Sequence, residues 1–310
     1  MPGPKVSVIV PIYNQAPFIR ETLDSALAQD YANLELVLSD DGSTDGTTDI
    51  LREYEGRHPE RVKLVVSERN TGIAGSFNRA LEAHTGAYIA WLGGDDVMLP
   101  GKLARQVTVL EGRPDAIGCC HDAEVFDSAS GRSYGRFTEV YNGRRGVREG
   151  GVELLLDPGY LMLPSTMMVR SSAVGGLRFD ARIRVSNDWL FDIELFRRGR
   201  IVGLDDVLAR YRRHERNVTS QTADALEEAL VVLTIAEARY PELHRQIRLR
   251  RVASIFGEAS RRWRSGDRRA ALRYVAAAVG TGGVLRSFAV AVRLLRVEAG
   301  RRRLGVTVPR

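Results

Sequence analysis

The chain has 310 residues, 44% of them hydrophobic, and a formal net charge of +6, which marks a soluble globular protein with room for one large domain or two of ordinary size. Its two cysteines, Cys119 and Cys120, are neighbours and cannot staple a fold as separated pairs do, so nothing argues for an oxidising compartment and the cytosol is the default. The first ten residues are too briefly apolar and too weakly basic for a secretory signal, and the uncharged stretch from Tyr274 to Leu285 falls far short of the roughly 20 residues a spanning helix needs.

Val6 to Pro11 is a β-branched apolar run closed by a turn, and Phe18, Ile19, Leu23, Ala26 and Leu27 follow at helical spacing. The same reading predicts strands over Leu34 to Leu38, Val62 to Val66 and Tyr88 to Leu92, alternating with helices over Asp45 to Tyr54, Ile73 to Ala83 and Leu103 to Leu110. Such alternation implies right-handed crossovers and a mostly parallel sheet covered on both faces. A less regular stretch begins near Ile117, with hairpin-like polar turns around Ser128 to Arg132 and Tyr141 to Gly146. Leu163 to Arg170 reads as a strand, Trp189 to Arg197 as a helix and Ile201 to Tyr211 as a last strand. From Thr222 the chain reads as helical, with breaks near Pro241, Ser265 to Gly266 and Gly280 to Gly283.

Charge divides along the same line. Residues 239–310 hold 18 Arg against four acids, a net +14, while the preceding residues hold 27 basic and 35 acidic side chains, a net −8. A neutral-to-acidic body with a basic tail suits something anionic, such as phospholipid, although Arg-rich solvated helix faces give the same count. The last expected helix, Val284 to Val297, sets Arg286, Arg293 and Arg296 on one face, as a helix lying on a membrane surface or packed on its own domain does.

In an open α/β sheet, ligands bind beyond the carboxyl ends of the strands. The loops there are Pro11 to Asn14, Ser39 to Ser43, Glu68 to Gly72 and Gly93 to Asp96, so four polar or acidic loops converge on one edge. Asp95 and Asp96 repel each other as adjacent carboxylates do, and a hard divalent cation shared with substrate phosphates relieves that repulsion. An acidic turn capping the helix near Pro100 is the plainer alternative. Asp40 and Asp41 end another strand, where an aspartate accepts hydrogen bonds from a base or ribose, while Ser43, Thr44 or Asp45 caps the next helix. The first strand-helix junction has no Gly-rich phosphate loop, which disfavours dinucleotide and P-loop functions.

Taken together, Val6 to Asn14 (VSVIVPIYN), Asp40 to Asp45 (DDGSTD), Asn70 to Gly72 (NTG) and Gly94 to Asp96 (GDD) resemble the successive motifs of family 2 glycosyltransferases. The resemblance spans about residues 5–215 and implies a GT-A fold, an α/β Rossmann-like sheet flanked by helices. It implies a catalytic domain over residues 1–220 and a basic helical C-terminal extension over 221–310. By the same resemblance, Pro11, Tyr13 and Asn70 line the nucleotide pocket, Asp41 contacts the base and Asp95 the ribose or diphosphate. Asp96 is the metal-binding carboxylate, for Mn²⁺ or Mg²⁺, and Asp188 in Asn187-Asp188-Trp189 matches the catalytic base. His214 matches a position near the pyrophosphate and is a candidate further metal ligand; a surface histidine in an Arg-rich loop is the alternative, with Arg212 and Arg213 neutralising the diphosphate.

The implied reaction is inverting hexosyl or deoxyhexosyl transfer from a nucleoside-diphosphate sugar, UDP or dTDP foremost, to a saccharide or lipid-linked acceptor of a bacterial surface polysaccharide. No nucleic-acid partner is expected, and an anionic membrane surface at the inner face of the plasma membrane is a further partner of the tail. Gly93 departs from the pattern, standing where many members carry another Asp. The absence of a QxxRW motif points away from processive synthases. An ordinary aspartate pKa near 3.9 predicts late proton transfer to Asp188. A nucleotidyltransferase, or a non-catalytic membrane-surface binding protein, are the competing classes.

Overall fold

The computed structural model describes residues 3–143, 145–217 and 225–283. The chain opens with β1 (Val6–Ile12), α1 (Ile19–Leu27), β2 (Leu34–Asp40), α2 (Thr47–Arg57), β3 (Val62–Val66), α3 (Gly72–Ala83) and β4 (Tyr88–Trp91), the alternation its periodicity predicts. It continues through β5 (Val97–Met98), α4 (Lys102–Gly112), β6 (Ala116–Asp127), β7 (Ser133–Arg136), α5 (Phe137–Asn142), α6 (Val152–Leu156), β8 (Met167–Arg170), α7 (Ser171–Val174), α8 (Asn187–Phe196) and β9 (Arg200–Arg213). Three helices follow, α9 (Ala225–Arg239), α10 (His244–Arg264) and α11 (Arg268–Gly282). The expected helix over Val284 to Val297 lies outside the described residues.

Among the described residues one sheet runs in the order β3-β2-β1-β4-β8-β6-β9-β5, with β7 paired to β6. The first four strands are parallel. Beyond β4 the pairing changes: β8 is antiparallel to both β4 and β6, and β6 pairs parallel with β9. The parallel half therefore matches the expectation, and the later half is mixed. The stretch expected to be irregular from Ile117 instead opens with β6, because buried His121 and Asp122 interrupt the apolar pattern while staying in the strand. Thr138 satisfies the Asp122 carboxylate through its backbone N–H and its hydroxyl.

The turn around residues 128–132 does close a hairpin, β6 to β7. Among the described residues no strand pairing forms around 141–146, where α5 ends at Gly143 in the left-handed region, φ 62°. The strand expected over Leu163 to Arg170 is shortened, since Pro164 opens a 3-10 turn over Pro164–Thr166 and lacks the N–H a ladder needs.

Alternation in β1 divides the core. Ile9 faces a cluster with Val37, Ile89, Trp91, Phe77 and Phe191, whereas Val6, Val8 and Val10 face another with Leu23, Leu36, Leu51 and Leu103. Val232, Leu233 and Ala236 of α9 and Ile247 of α10 belong to the first cluster, whereas Val252, Ala253 and Ile255 of α10 pack with Ala278 of α11 in a separate one. No helix of the described residues is long and apolar enough to cross a membrane.

Candidate active site

The order β3-β2-β1-β4 reverses direction at β1, and the crevice between the loops after β1 and β4 is where open α/β sheets bind ligands. A cleft of about 760 Å³ lies there. Pro11, Tyr13, Asp41, Asn70, Asp95 and Asp96 all line it, so six of the expected site residues meet around one space. Tyr13 is 43% exposed, an aromatic face open to the cleft.

Loops that are remote in sequence are tied together by side chain to backbone bonds. Asn14 adopts φ 52°, the left-handed conformation asparagine tolerates better than branched residues. Its N–H donates to Ser43 Oγ at 2.9 Å and its Oδ1 accepts from Thr44 N at 2.8 Å, joining the β1 loop to the β2 loop. The two aspartates ending β2 divide the work. Asp40 accepts from Ser43 and Thr48, local bonds at the start of α2. Asp41 instead crosses to α3, accepting from Thr71 N at 3.0 Å, Gly72 N at 2.7 Å and Arg79 at 2.6 Å. It thus fixes the Asn70 loop, a role that the capping argument at α2 alone did not anticipate.

Asp96, only 3% exposed, forms the floor. Its Oδ2 accepts from Ser165 Oγ at 2.5 Å and its Oδ1 from Arg212 N at 3.1 Å. Ser165 Oγ in turn accepts from Gly93 N at 3.0 Å. Burial, then the charge of Asp95, push the Asp96 carboxyl up to about 8, against the pull of these donors. Gly93 explains its own departure from the family pattern. A Cβ there would lie 3.0 Å from Asp95 Oδ1 and 3.0 Å from Asp96 Oδ2, so the missing side chain leaves room for both carboxylates.

This donor set fits a hard divalent cation, with two side-by-side carboxylates whose repulsion a cation relieves. Among the described residues no group of three His, Cys, Asp or Glu side chains makes a protein-only cage. The remaining ligands then fall to phosphate oxygens and water, the usual arrangement for Mg²⁺.

His214 sits behind Asp95. Its Nε2 lies 2.8 Å from Asp95 Oδ2, Arg216 N–H donates to its Nδ1 at 3.1 Å, and its ring packs 4.4 Å from Phe18. With Nδ1 accepting, Nε2 carries the proton and donates to Asp95. The arrangement makes His214 a partner of Asp95 rather than an open cation ligand. Arg212 is likewise not available to a diphosphate: its guanidinium donates to the Asp95 carbonyl at 2.7 Å, pairs with Glu21 and lies between Phe18 and Phe126. Arg213 is buried at the end of β9. Exposed Arg216 lines the cleft in their place.

Asp188 is not among the residues lining the cleft. It lies in the first turn of α8, whose Phe191 meets Trp91 of the cleft wall edge-on at 5.9 Å. Phe179 stacks on Phe191 at 4.1 Å and on Phe77 at 4.4 Å, and Phe77 also lines the cleft. These four rings join the helix carrying Asp188 to the cleft wall. Burial raises the Asp188 carboxyl to about 6; the Trp189 N–H bond at 2.7 Å opposes this and the charge of Glu228 adds to it. The ordinary value expected from sequence is therefore replaced by one suited to a base near neutrality. Glu228 of α9 also accepts from Val185 N at 2.9 Å and Ser186 N at 3.0 Å, holding the turn that leads into α8.

Ser165, Glu228 and the ring stack are absent from the sequence reading. Ser165 hides beside Pro164 in what reads as a strand, and Glu228 looks like a solvated first-turn acid.

Comparison with known proteins agrees with this geometry. Residues 7–171 match the model of Glycosyl transferase family 2. The uncharacterised glycosyltransferase RP339 of Rickettsia prowazekii is 30% identical over 234 residues, 73% of this chain and 69% of its own. EpsE, a proposed glycosyltransferase of Bacillus subtilis, is 46% identical over 109 residues, so the chain matches only 39% of that relative's length. Among solved structures, S. aureus TarS 1-349 in complex with UDP-GlcNAc superposes with a TM-score of 0.68 at 20% identity, covering 97% of this chain and 89% of that one. The mannosyltransferase PcManGT from Pyrobaculum calidifontis, in complex with GDP-Man and Mn²⁺, gives 0.63 at 20% identity, covering 98% and 84%. The chain belongs to glycosyl transferase family 2 and has the fold of the GT-A glycosyltransferases.

Proposed function

We propose that this chain is a metal-dependent inverting glycosyltransferase that moves a hexosyl or deoxyhexosyl group from a nucleoside-diphosphate sugar to an acceptor hydroxyl. One observation carries the reading: the carboxylates of Asp95 and Asp96 share the floor of a cleft whose other walls are Tyr13, Asp41 and Asn70. Solved neighbours that hold UDP-GlcNAc or GDP-Man support a nucleotide-sugar donor, and UDP or dTDP is our choice. A proposed teichuronic acid biosynthesis glycosyltransferase of Bacillus subtilis, TuaG, is 44% identical over 104 residues, which supports a role in surface polysaccharide synthesis. The acceptor is then a saccharide or a lipid-linked saccharide.

In this reading the base lies against Tyr13 and Pro11, and Asp41 accepts a hydrogen bond from its edge. Asp96, with Asp95 beside it, would hold Mn²⁺ or Mg²⁺. Such a cation, when bound, offsets the charge of the departing diphosphate and contributes several kcal/mol. His214 keeps Asp95 oriented, and joins the cation only by giving up that bond. Arg216 adds a positive charge at the cleft rim. Asp188 takes the proton from the acceptor hydroxyl as its oxygen attacks the anomeric carbon; the bond to the diphosphate oxygen breaks on the opposite face, and the configuration inverts. Asp188 stands outside the lining of the cleft, so in this reading the acceptor reaches from the cleft to the first turn of α8.

The test is a screen of nucleotide sugars for release of nucleoside diphosphate with and without Mn²⁺, on the wild type and on Asp96→Asn. Release that needs the cation and is lost in the variant supports the assignment. A nucleotidyltransferase would instead release pyrophosphate from a nucleoside triphosphate.

A further inference from the structure

Three arginines gather on the α8 side of the protein around one carboxylate. Asp157, at the end of α6, accepts from Arg145 at 2.9 Å and from Arg148 at 2.5 Å, both through Oδ2. Arg145 and Arg148 both pack over the Tyr160 ring, at 5.5 and 5.3 Å. Arg250, from α10, reaches only the carbonyl of Asp157, at 3.0 Å, and lies 5.0 Å from the Trp189 ring.

Arg250 forms no ion pair with any carboxylate of the described residues, and its enclosed Nε meets no acceptor there. Burial holds its guanidinium down to about 10, with the charge of Asp157 opposing and that of Arg145 adding. The Asp157 carboxylate is thus its nearest opposing charge, shared with Arg145 and Arg148, and the Arg250 Nε hydrogen is left without an acceptor among the described residues. Part of the Arg250 surface remains in solvent, and the Arg148 side chain is 40% exposed, so the cluster is open on one side.

Its position bears on the acceptor. Trp189 follows Asp188 directly, and its indole N–H donates to Leu155 O at 3.2 Å, at the end of α6. The chain that carries Tyr160 runs on to Leu163, Pro164 and Ser165, which line the donor cleft. Arg148, 40% exposed, and Arg250, with an unsatisfied Nε hydrogen, present guanidinium forks, which match the oxygens of a phosphoryl group.

We propose that Arg148 and Arg250, with Arg145 beside them, form an anion-binding subsite that holds a phosphoryl group carried by the acceptor. The word acceptor rests on the glycosyltransferase reading above; binding of a phosphoryl group at these residues does not. A saccharide phosphate and a lipid headgroup present the same chemistry.

The experiment uses the full chain with the donor cleft filled by UDP and diamagnetic Mg²⁺, and follows binding of glycerol phosphate by phosphorus NMR line broadening. Arg148→Gln and, separately, Arg250→Lys and Arg250→Gln are compared with wild type, with melting curves as folding controls and UDP affinity as the donor-side control. The expected result is at least a tenfold loss of glycerol phosphate affinity in Arg148→Gln and Arg250→Gln, with UDP affinity retained. Retention on phosphatidylglycerol vesicles separates the two sources: lost in parallel, the phosphoryl group is lipid-borne; unchanged, it belongs to a soluble saccharide phosphate. Wild-type glycerol phosphate affinity in a folded Arg148→Gln or Arg250→Gln protein overturns the subsite, even where an Arg250 variant melts earlier. A wild type that binds no UDP refutes the donor reading instead, and leaves the glycerol phosphate comparison intact.

Discussion

Ser165 and Asp96, 69 residues apart in the chain, meet at 2.5 Å in the floor of the cleft. The serine also accepts the Gly93 N–H, so a single hydroxyl ties the end of β4 to the turn before β8 and orients the carboxylate assigned to the cation.

Ser165→Ala removes that orientation without changing charge. Partners behind metal ligands commonly contribute about 10- to 100-fold in metal affinity or activity. The expected outcome is a loss of that size in the apparent Mn²⁺ affinity, read from the metal dependence of turnover, with a melting temperature lowered by a few degrees in a protein that still folds. Unaltered metal dependence contradicts the role given to the hydroxyl.

His214 separates two arrangements. His214→Gln retains an N–H donor for Asp95 but lacks an imidazole ligand. If the ring serves to orient Asp95, the variant keeps most of the wild-type Mn²⁺ affinity while His214→Ala loses it. Equal losses in both variants point to direct coordination.

The raised Asp188 carboxyl sets the pH dependence. A base must be ionised to act, so with Mn²⁺ saturating, and Asp96 thereby held ionised, turnover falls as pH drops through about 6 and levels off above it. Glu228→Gln keeps an oxygen for the Val185 and Ser186 N–H groups but removes a like charge, so its acidic limb moves to lower pH. A limb near the ordinary carboxylate value in the wild type contradicts the burial argument.

The same carboxyl links function to stability. Its pKa is raised in the fold, from 3.8 to about 6, so the stabilisation it allows is complete below the unfolded value and is lost as pH rises through the folded one. Asp188→Asn escapes that loss. At about pH 8 the variant should be more stable by up to roughly 3 kcal/mol, the gain vanishing below about pH 4, while transfer falls by about 100- to 10,000-fold. Denaturant melts at both pH values and a transfer assay check the two halves.

What the sequence showed and what it hid follow from the range of the interactions. The apolar runs of β1 to β4 and the loops after them are local signals, and they placed Pro11, Tyr13, Asp41, Asn70, Asp95 and Asp96 at one sheet edge. The pairing of β8 between β4 and β6 is a long-range choice with no local mark, and it is what brings Ser165 to Asp96. The Asp188 carboxyl looked ordinary because its shift comes from burial in the fold and the charge of Glu228 on α9, neither visible from its neighbours in the chain. The positive charge of the C-terminal helices was plain, yet nothing in the count distinguished Arg250, held against Trp189, from the arginines at the surface.

The most direct measurement is nucleoside diphosphate release from UDP- and dTDP-sugars, with and without Mn²⁺, by the wild type and Asp96→Asn. The account predicts release by the wild type that requires the cation and is lost in the variant. Equal release by a folded Asp96→Asn protein, or release indifferent to Mn²⁺, would contradict it.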